Sequence, residues 1–170
     1  MDKQSHKIIS AAYIRNFVFG VEDSLISTVS LLSGITIAGV QSKTIFVTGF
    51  ILIFVEAFSM AIGSFVSEHS AEDYLHKKDT PTKQPVLDGA IMFFSYFISG
   101  FIPLFPYIVA PIETAFGLSV LLSLVALFFL GVFRGRVSRL SIWRNGLRML
   151  AIGGIAITVG ILVGKLVGRI

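Results

Sequence analysis

Long apolar runs separated by short polar breaks set the pattern of this chain. Five of them, at about 17–40, 44–67, 89–110, 112–132 and 147–170, are interrupted by almost no charge. At 1.5 Å of rise per residue each is long enough to cross roughly 30 Å of hydrocarbon as a helix. Gln41-Ser42-Lys43 makes a tight turn between the first two runs. Pro111 opens the fourth, where its missing N–H does no harm, and Pro103 and Pro106 kink or end the third. The pattern predicts an all-α polytopic membrane protein, residues 1–170 forming one five-helix domain with a short cytoplasmic loop at 68–88.

Composition agrees. Of 170 residues 54% are hydrophobic and 14% charged, and the mean hydropathy is +0.84. A soluble core of this size could not bury so much apolar surface, so lipid covers part of it. The absence of cysteine excludes disulfides, thiolate zinc sites and iron–sulfur ligation. MDKQSHKIISAAYIRN is too polar for the apolar core of a signal peptide.

Charge fixes an expected orientation. With the N-terminus inside, the inner segments hold Lys3, Lys7 and Arg15; Lys77, Lys78 and Lys83; and Arg134, Arg136, Arg139, Arg144 and Arg148. Only Lys43, Lys165 and Arg169 remain outside. This bias predicts N-in, C-out, and it reads the basic pI as a topology signal with no nucleic-acid partner implied. An odd number of spans rules out a simple two-fold internal repeat, so a solute pathway would be completed by a second copy.

Against this background Glu56 stands out. It sits near the middle of the second run, where a charged acid costs about 3 kcal/mol on insertion scales. Met60 follows at i+4, placing a hard oxygen and a soft sulfur on one helical face, a pairing suited to a divalent transition metal. Alternatively, Glu56 is a protonated packing carboxyl and Met60 core filling. Asp23 lies two turns inside the first helix if that helix starts near Phe17, and is a surface N-cap if it starts at Ser24. Neighbouring Glu22 points about 100° away and is expected in solvent or paired with Arg15. Past Met60 the same ridge runs through Ser64, Glu68 and Glu72. The exit segment SEHSAEDYLHKKD also offers His69, Asp73 and His76, which could dock a metal or simply form a solvated helix end.

Two further stripes are visible. Ala156, Gly160, Gly164 and Gly168, at steps of four, form a small-residue ridge for close helix approach. Ser27, Ser30 and Gly34 form a stripe on the first span that either packs against a neighbour or lines a wet seam. No HExxH, GxSxG or GxxxxGK[ST] pattern occurs, so no enzyme is indicated.

Three segments carry a family resemblance. FVFGVEDSLISTVSLLSG resembles the first-helix motif N-D-G-L-V-S-T of the vacuolar iron transporter family, VEAFSMAIGSFVSEHS its second-helix A-x-S-M-A-x-G-E-Y-V-S, and FISGFIPLFPYI its third-helix G-x-x-I-P-L-x-P-Y. The resemblance implies a homodimeric, proton-coupled exporter of Fe2+, with Mn2+ also carried, whose pathway follows the dimer interface. It gives Asp23 and Met60 the role of pathway ligands; Glu56 falls just upstream of the second motif. Ser24 replaces the usual Gly and Glu22 the usual Asn. Ser64 replaces a Glu, for which Glu68 one turn on can substitute. The long metal-binding domain that many members carry between the second and third spans is absent.

The combined expectation is a divalent-metal transporter moving Fe2+ or Mn2+ out of the cytoplasm against protons, with no resident cofactor. Asp23, Glu56, Met60 and Glu68 are its metal-binding residues, with Glu22, Glu72 and His69 secondary. Lack of cysteine, small size and a short loop suggest a prokaryotic cell membrane. The alternative is a non-transporting scaffold whose buried acids hold helices together.

Overall fold

The structure is a computed structural model that describes residues 3–77 and 81–169, with side chains from Ser10 onward. The side chains of Lys3, His6 and Lys7, and residue Lys78, lie outside the described residues. In hydrocarbon every backbone N–H and C=O must be satisfied within its own segment, so apolar runs of this length become helices. Among the described residues six are present: α1 (Lys3–Ile37), α2 (Ser42–His76), α3 (Lys83–Leu104), the single turn α4 (Pro106–Val109), α5 (Ile112–Val137) and α6 (Ile142–Val167). No strand occurs among the described residues. Five helices are long and apolar enough to span a membrane, and the large apolar side chains left exposed along them, such as Phe54, Phe58, Ile98, Phe129 and Ile155, are the lipid-facing surface. The protein is an integral, multi-pass membrane protein.

The helix ends follow local chemistry. Gly39, at φ 83°, closes α1 in a conformation that side chains with a Cβ resist. Pro103 is accommodated inside α3, but Pro106 restarts the chain as α4, so the FIPLFPY segment ends the third span as expected. Ser119 of α5 donates to the Pro103 carbonyl at 2.7 Å.

Two boundaries differ from the sequence reading. The expected loop at 68–88 is largely helical, with α2 continuing to His76 and α3 starting at Lys83. Charged residues on an extended helix satisfy their own backbone and need no loop; hydropathy marks where lipid ends and is silent on where the helix ends. Likewise α1 begins well before Phe17, which makes Asp23 a mid-helix residue and removes the N-cap alternative.

α1 is the most enclosed span. It packs against α3, α6, α5 and α2, whereas α2 leans mainly on α3. The approach of α1 to α6 is set by glycines. A Cβ on Gly34 would lie 2.8 Å from the Gly160 carbonyl, and Cβ atoms on Gly160 and Gly164 would collide with the Ser30 and Gly34 carbonyls. The ridge on the last span therefore grips α1 of its own chain. The Ser27/Ser30/Gly34 stripe faces α6 and α3 and also lines a groove between α1 and α6.

Gly160→Ala and Gly164→Ala should each lower thermal stability in detergent. The added methyl meets backbone that cannot swing away, an overpacking cost of about 1–3 kcal/mol. Tm by intrinsic Trp143 fluorescence checks this against Gly154→Ala, where the new methyl meets nothing.

Candidate metal-translocation site

α1 brings Glu22 and Asp23 to neighbouring positions of a helix turned toward α2 and α3. Asp23 lies within electrostatic range of Glu56 on α2, across the α1–α2 seam. Both side chains are half-buried. Beside them Tyr96 of α3 is fully buried. Its hydroxyl shares a 2.7 Å hydrogen bond with the Ser27 hydroxyl, its carbonyl accepts one from Ser24 at 2.7 Å, and the field of both Asp23 and Glu56 reaches it. Asp23, Glu56, Ser27 and Tyr96 thus form a small polar cluster inside an apolar bundle.

Toward the end where α1 begins, a cavity of about 1020 Å³ opens between α1, α2, α3 and α5. Met60, Ser64 and Glu68 line it from α2, Arg15, Asn16 and Glu22 from α1, Met92 from α3 and Arg134 from α5. Met60, one turn from Glu56, and Glu22, next to Asp23 in sequence, therefore line the same cavity. Of the two expectations for Glu22, solvent or a pair with Arg15, the pair does not form; the charges acting on it are those of Arg134, Asp23 and Arg148. Arg15 instead bonds Glu68, Nη2 to Oε2 at 2.8 Å. The sequence reading sought a partner on the same helix, and the tertiary fold supplied one 53 residues away.

Next to that ion pair is a group the sequence reading missed. Asp88 of α3 is fully buried, taking a hydrogen bond from Asn16 Nδ2 at 2.8 Å and another from Gln84 Nε2 at 3.4 Å. Tyr13 donates to Gln84 Oε1 at 3.3 Å. An acid at the head of an apolar run reads as a loop residue, because the helix that carries it starts five residues earlier in polar sequence.

Of the secondary candidates, Glu22 lines the cavity, whereas His69 and Glu72 are not among its lining residues. His69 stacks on Phe65 at 5.8 Å and lies 3.7 Å from Asp73. His76 Nδ1 approaches the Glu72 carbonyl at 2.9 Å. Among the described residues no three His, Asp or Glu side chains converge as a metal cage. One chain offers an acid pair, a thioether and cavity carboxylates, and on α2 the exposed small residues Ser59, Gly63 and Ser67 continue the cavity wall outward. Three α1 hydroxyls, on Thr28, Ser30 and Ser33, are buried without a hydrogen-bond partner.

Comparison with known proteins places this geometry in a family. The sequence model of the VIT family matches residues 14–84 and 75–165. The chain is 26% identical over 185 residues to vacuolar iron transporter homolog 3 of Arabidopsis thaliana, covering 99% of this chain and 92% of that protein. It is 26% identical over 171 residues to homolog 1 of the same plant. Over 63 residues it is 38% identical to vacuolar iron transporter homolog 5 of Oryza sativa subsp. japonica.

Asp88→Ala should destabilise the bundle by about 1–3 kcal/mol, since it leaves the Asn16 amide buried and unpaired. The paired change Asn16→Leu with Asp88→Leu should lose less than the two single changes summed. Thermal melts of the four proteins in a double-mutant cycle measure that coupling.

Proposed function

The chain belongs to the VIT family, and from that premise we propose that it moves a divalent transition metal, Fe2+ or Mn2+, out of the cytoplasm in exchange for protons, as a homodimer with the N-terminus inside. The observation that carries the reading is that Asp23 and Glu56, two half-buried acids inside apolar spans, lie within each other's electrostatic reach, near an open cavity lined by Met60. Chains seldom keep acids at such depth without a use. The relatives' names, vacuolar iron transporter homologs, give the substrate class.

The chemistry follows from the ligand types. Two carboxylates facing each other in a low-dielectric seam repel, so the pair favours a cation between them. A metal ion and a proton compete for the same oxygens, and the arrival of one promotes the departure of the other. That competition is the physical basis of antiport. Met60 adds a soft donor that helps borderline metals and contributes little to Mg2+ or Ca2+. Glu68 and Glu22, on the cavity wall, pass the ion from the cytoplasmic mouth toward the acid pair. Glu72 and His69 lie further out and serve capture at most. The incomplete cage in one chain supports a second copy across the open, small-residue side of α2, which would supply the missing ligands.

The test is initial metal uptake into inside-out proteoliposomes over a panel of divalent ions with an imposed pH gradient. Flux of Fe2+ or Mn2+ that follows the gradient is expected; a protein that folds and carries no metal would instead be a scaffold with structural acids.

Two variants sharpen the reading. Glu56→Gln removes an ionisable group from hydrocarbon, so it should insert at least as well as wild type yet lose pH-coupled flux. Met60→Leu keeps volume and apolarity, typically within about 1.5 kcal/mol of stability. Fe2+ flux should fall and the preference for Fe2+ over Ca2+ should narrow. Equal flux ratios in wild type and Met60→Leu, normalised to folded protein, would assign Met60 to packing alone.

A further inference from the structure

We infer that Arg15 is a tethered cation that occupies the Glu68 carboxylate until a divalent metal displaces it, and so sets the affinity of the cytoplasmic mouth. The inference rests on the metal-transport reading above and adds a residue to it. Arg15 is no ligand; it acts through Glu68.

Three features of the geometry support it. First, both partners line the same cavity, from opposite walls: Arg15 from α1 and Glu68 from α2. An ion approaching Met60 and the acid pair along that cavity passes their 2.8 Å contact.

Second, the pair is asymmetric. The Arg15 side chain is 63% exposed and that of Glu68 only 24%. The carboxylate is held on its helix, while the guanidinium sits at the end of a long, solvated, flexible stem that can swing aside. A surface-like pair of this kind is weak enough to exchange.

Third, Arg15 is the arginine set against Glu68. Asp88, fully buried behind the pair, feels both Glu68 and Arg15, and its hydrogen-bond partners Asn16 and Gln84 are neutral amides. Arg134, the second arginine on the cavity wall, acts on Glu22. A divalent ion at the Glu68 carboxylate brings one more charge than the guanidinium it replaces, an advantage that a monovalent ion lacks, so the same arrangement discriminates by charge.

Displacement has a structural consequence, because the Arg15–Glu68 bond ties α1 to α2. These two helices carry Asp23 and Glu56. Metal arrival at the mouth thus releases a tie across the seam that holds the inner pair, linking loading to the freedom of that seam.

The experiment uses full-length purified protein and Mn2+ as probe. Binding is read from the electron paramagnetic resonance of free Mn2+, and uptake from proteoliposomes. Arg15→Gln should lower the Mn2+ dissociation constant roughly two- to five-fold, the range expected from freeing a carboxylate of an exposed ion pair. The apparent KM should fall in step while kcat per folded protein does not rise. Arg15→Lys, which keeps the charge but loses the planar fork, should lie between the two. In a Glu68→Gln background, Arg15→Gln should change Mn2+ affinity no further. A purely structural Arg15 would give lower stability and lower kcat at unchanged KM. Mn2+ affinity that is unchanged or weaker in Arg15→Gln overturns the inference, as does a gain that survives in the Glu68→Gln background. If Arg15→Gln does not fold, equal affinity in Arg15→Lys and wild type overturns it. Wild-type protein that transports Mn2+ alongside such results leaves the transport reading intact; wild-type protein that neither binds nor carries any metal overturns both.

Discussion

The enclosure of α1 is the constraint on which the other features of this bundle depend. This helix carries two adjacent acids, a buried asparagine and a run of hydroxyl side chains, a content that lipid alone would not tolerate. It can cross the membrane only because other helices cover those groups and supply their partners. α3 gives Asp88 to Asn16 and Tyr96 to Ser24 and Ser27. α6 covers the opposite side, and can come close only where Gly160 and Gly164 leave room for the Ser30 and Gly34 backbone. The small-residue ridge, whatever it contributes to stability, is thus a condition for keeping acids inside the membrane.

The coverage is deliberately uneven in its effect. α2 packs chiefly on α3 and touches α1 less, so the seam between α1 and α2 widens into the cavity. Packing that is tight on the α3 and α6 sides and loose on the α2 side gives a rigid wall facing a less constrained one. Rigid elements hold side chains in register, and loosely packed ones can move. Asp23 lies on the first and Glu56 on the second, so the distance between them is the quantity that relative motion of the two helices would change.

How much of this could be read from sequence depends on the range of the interaction. The spans, the break at Pro106 and the steric role of Gly160 and Gly164 were legible, because each rests on residues within a few turns of one another. Asp23 and Glu56 were singled out by the cost of acids in lipid, which says nothing of the distance between them. Asp88 was not legible. Its helix starts in polar sequence, and its partner Asn16 is 72 residues away, so neither hydropathy nor helical spacing marks it. The partner of Arg15 was not legible for the same reason: the sequence offered Glu22 on the same helix as one alternative, while α2, extended beyond its apolar run, brought Glu68 into reach. Continuation of a membrane helix past the lipid boundary leaves little hydropathy signal, yet here it positions half of the cavity mouth.

The distribution of charge then separates two kinds of acid. Those lining the cavity have arginines in reach: Glu68 bonds Arg15, and Glu22 feels Arg134 and Arg148, opposed by burial and by Asp23. The inner pair reach each other, the charge of Glu56 acting on Asp23 across the seam. An acid paired with an exposed, flexible arginine can exchange it for an arriving ion at little net change in charge. Two acids within each other's field favour a cation between them. In the proposed transport reading, an ion entering by the cavity therefore meets a site that is easy to exchange first and the acid pair last, an order that favours loading of the inner pair over retention at the mouth.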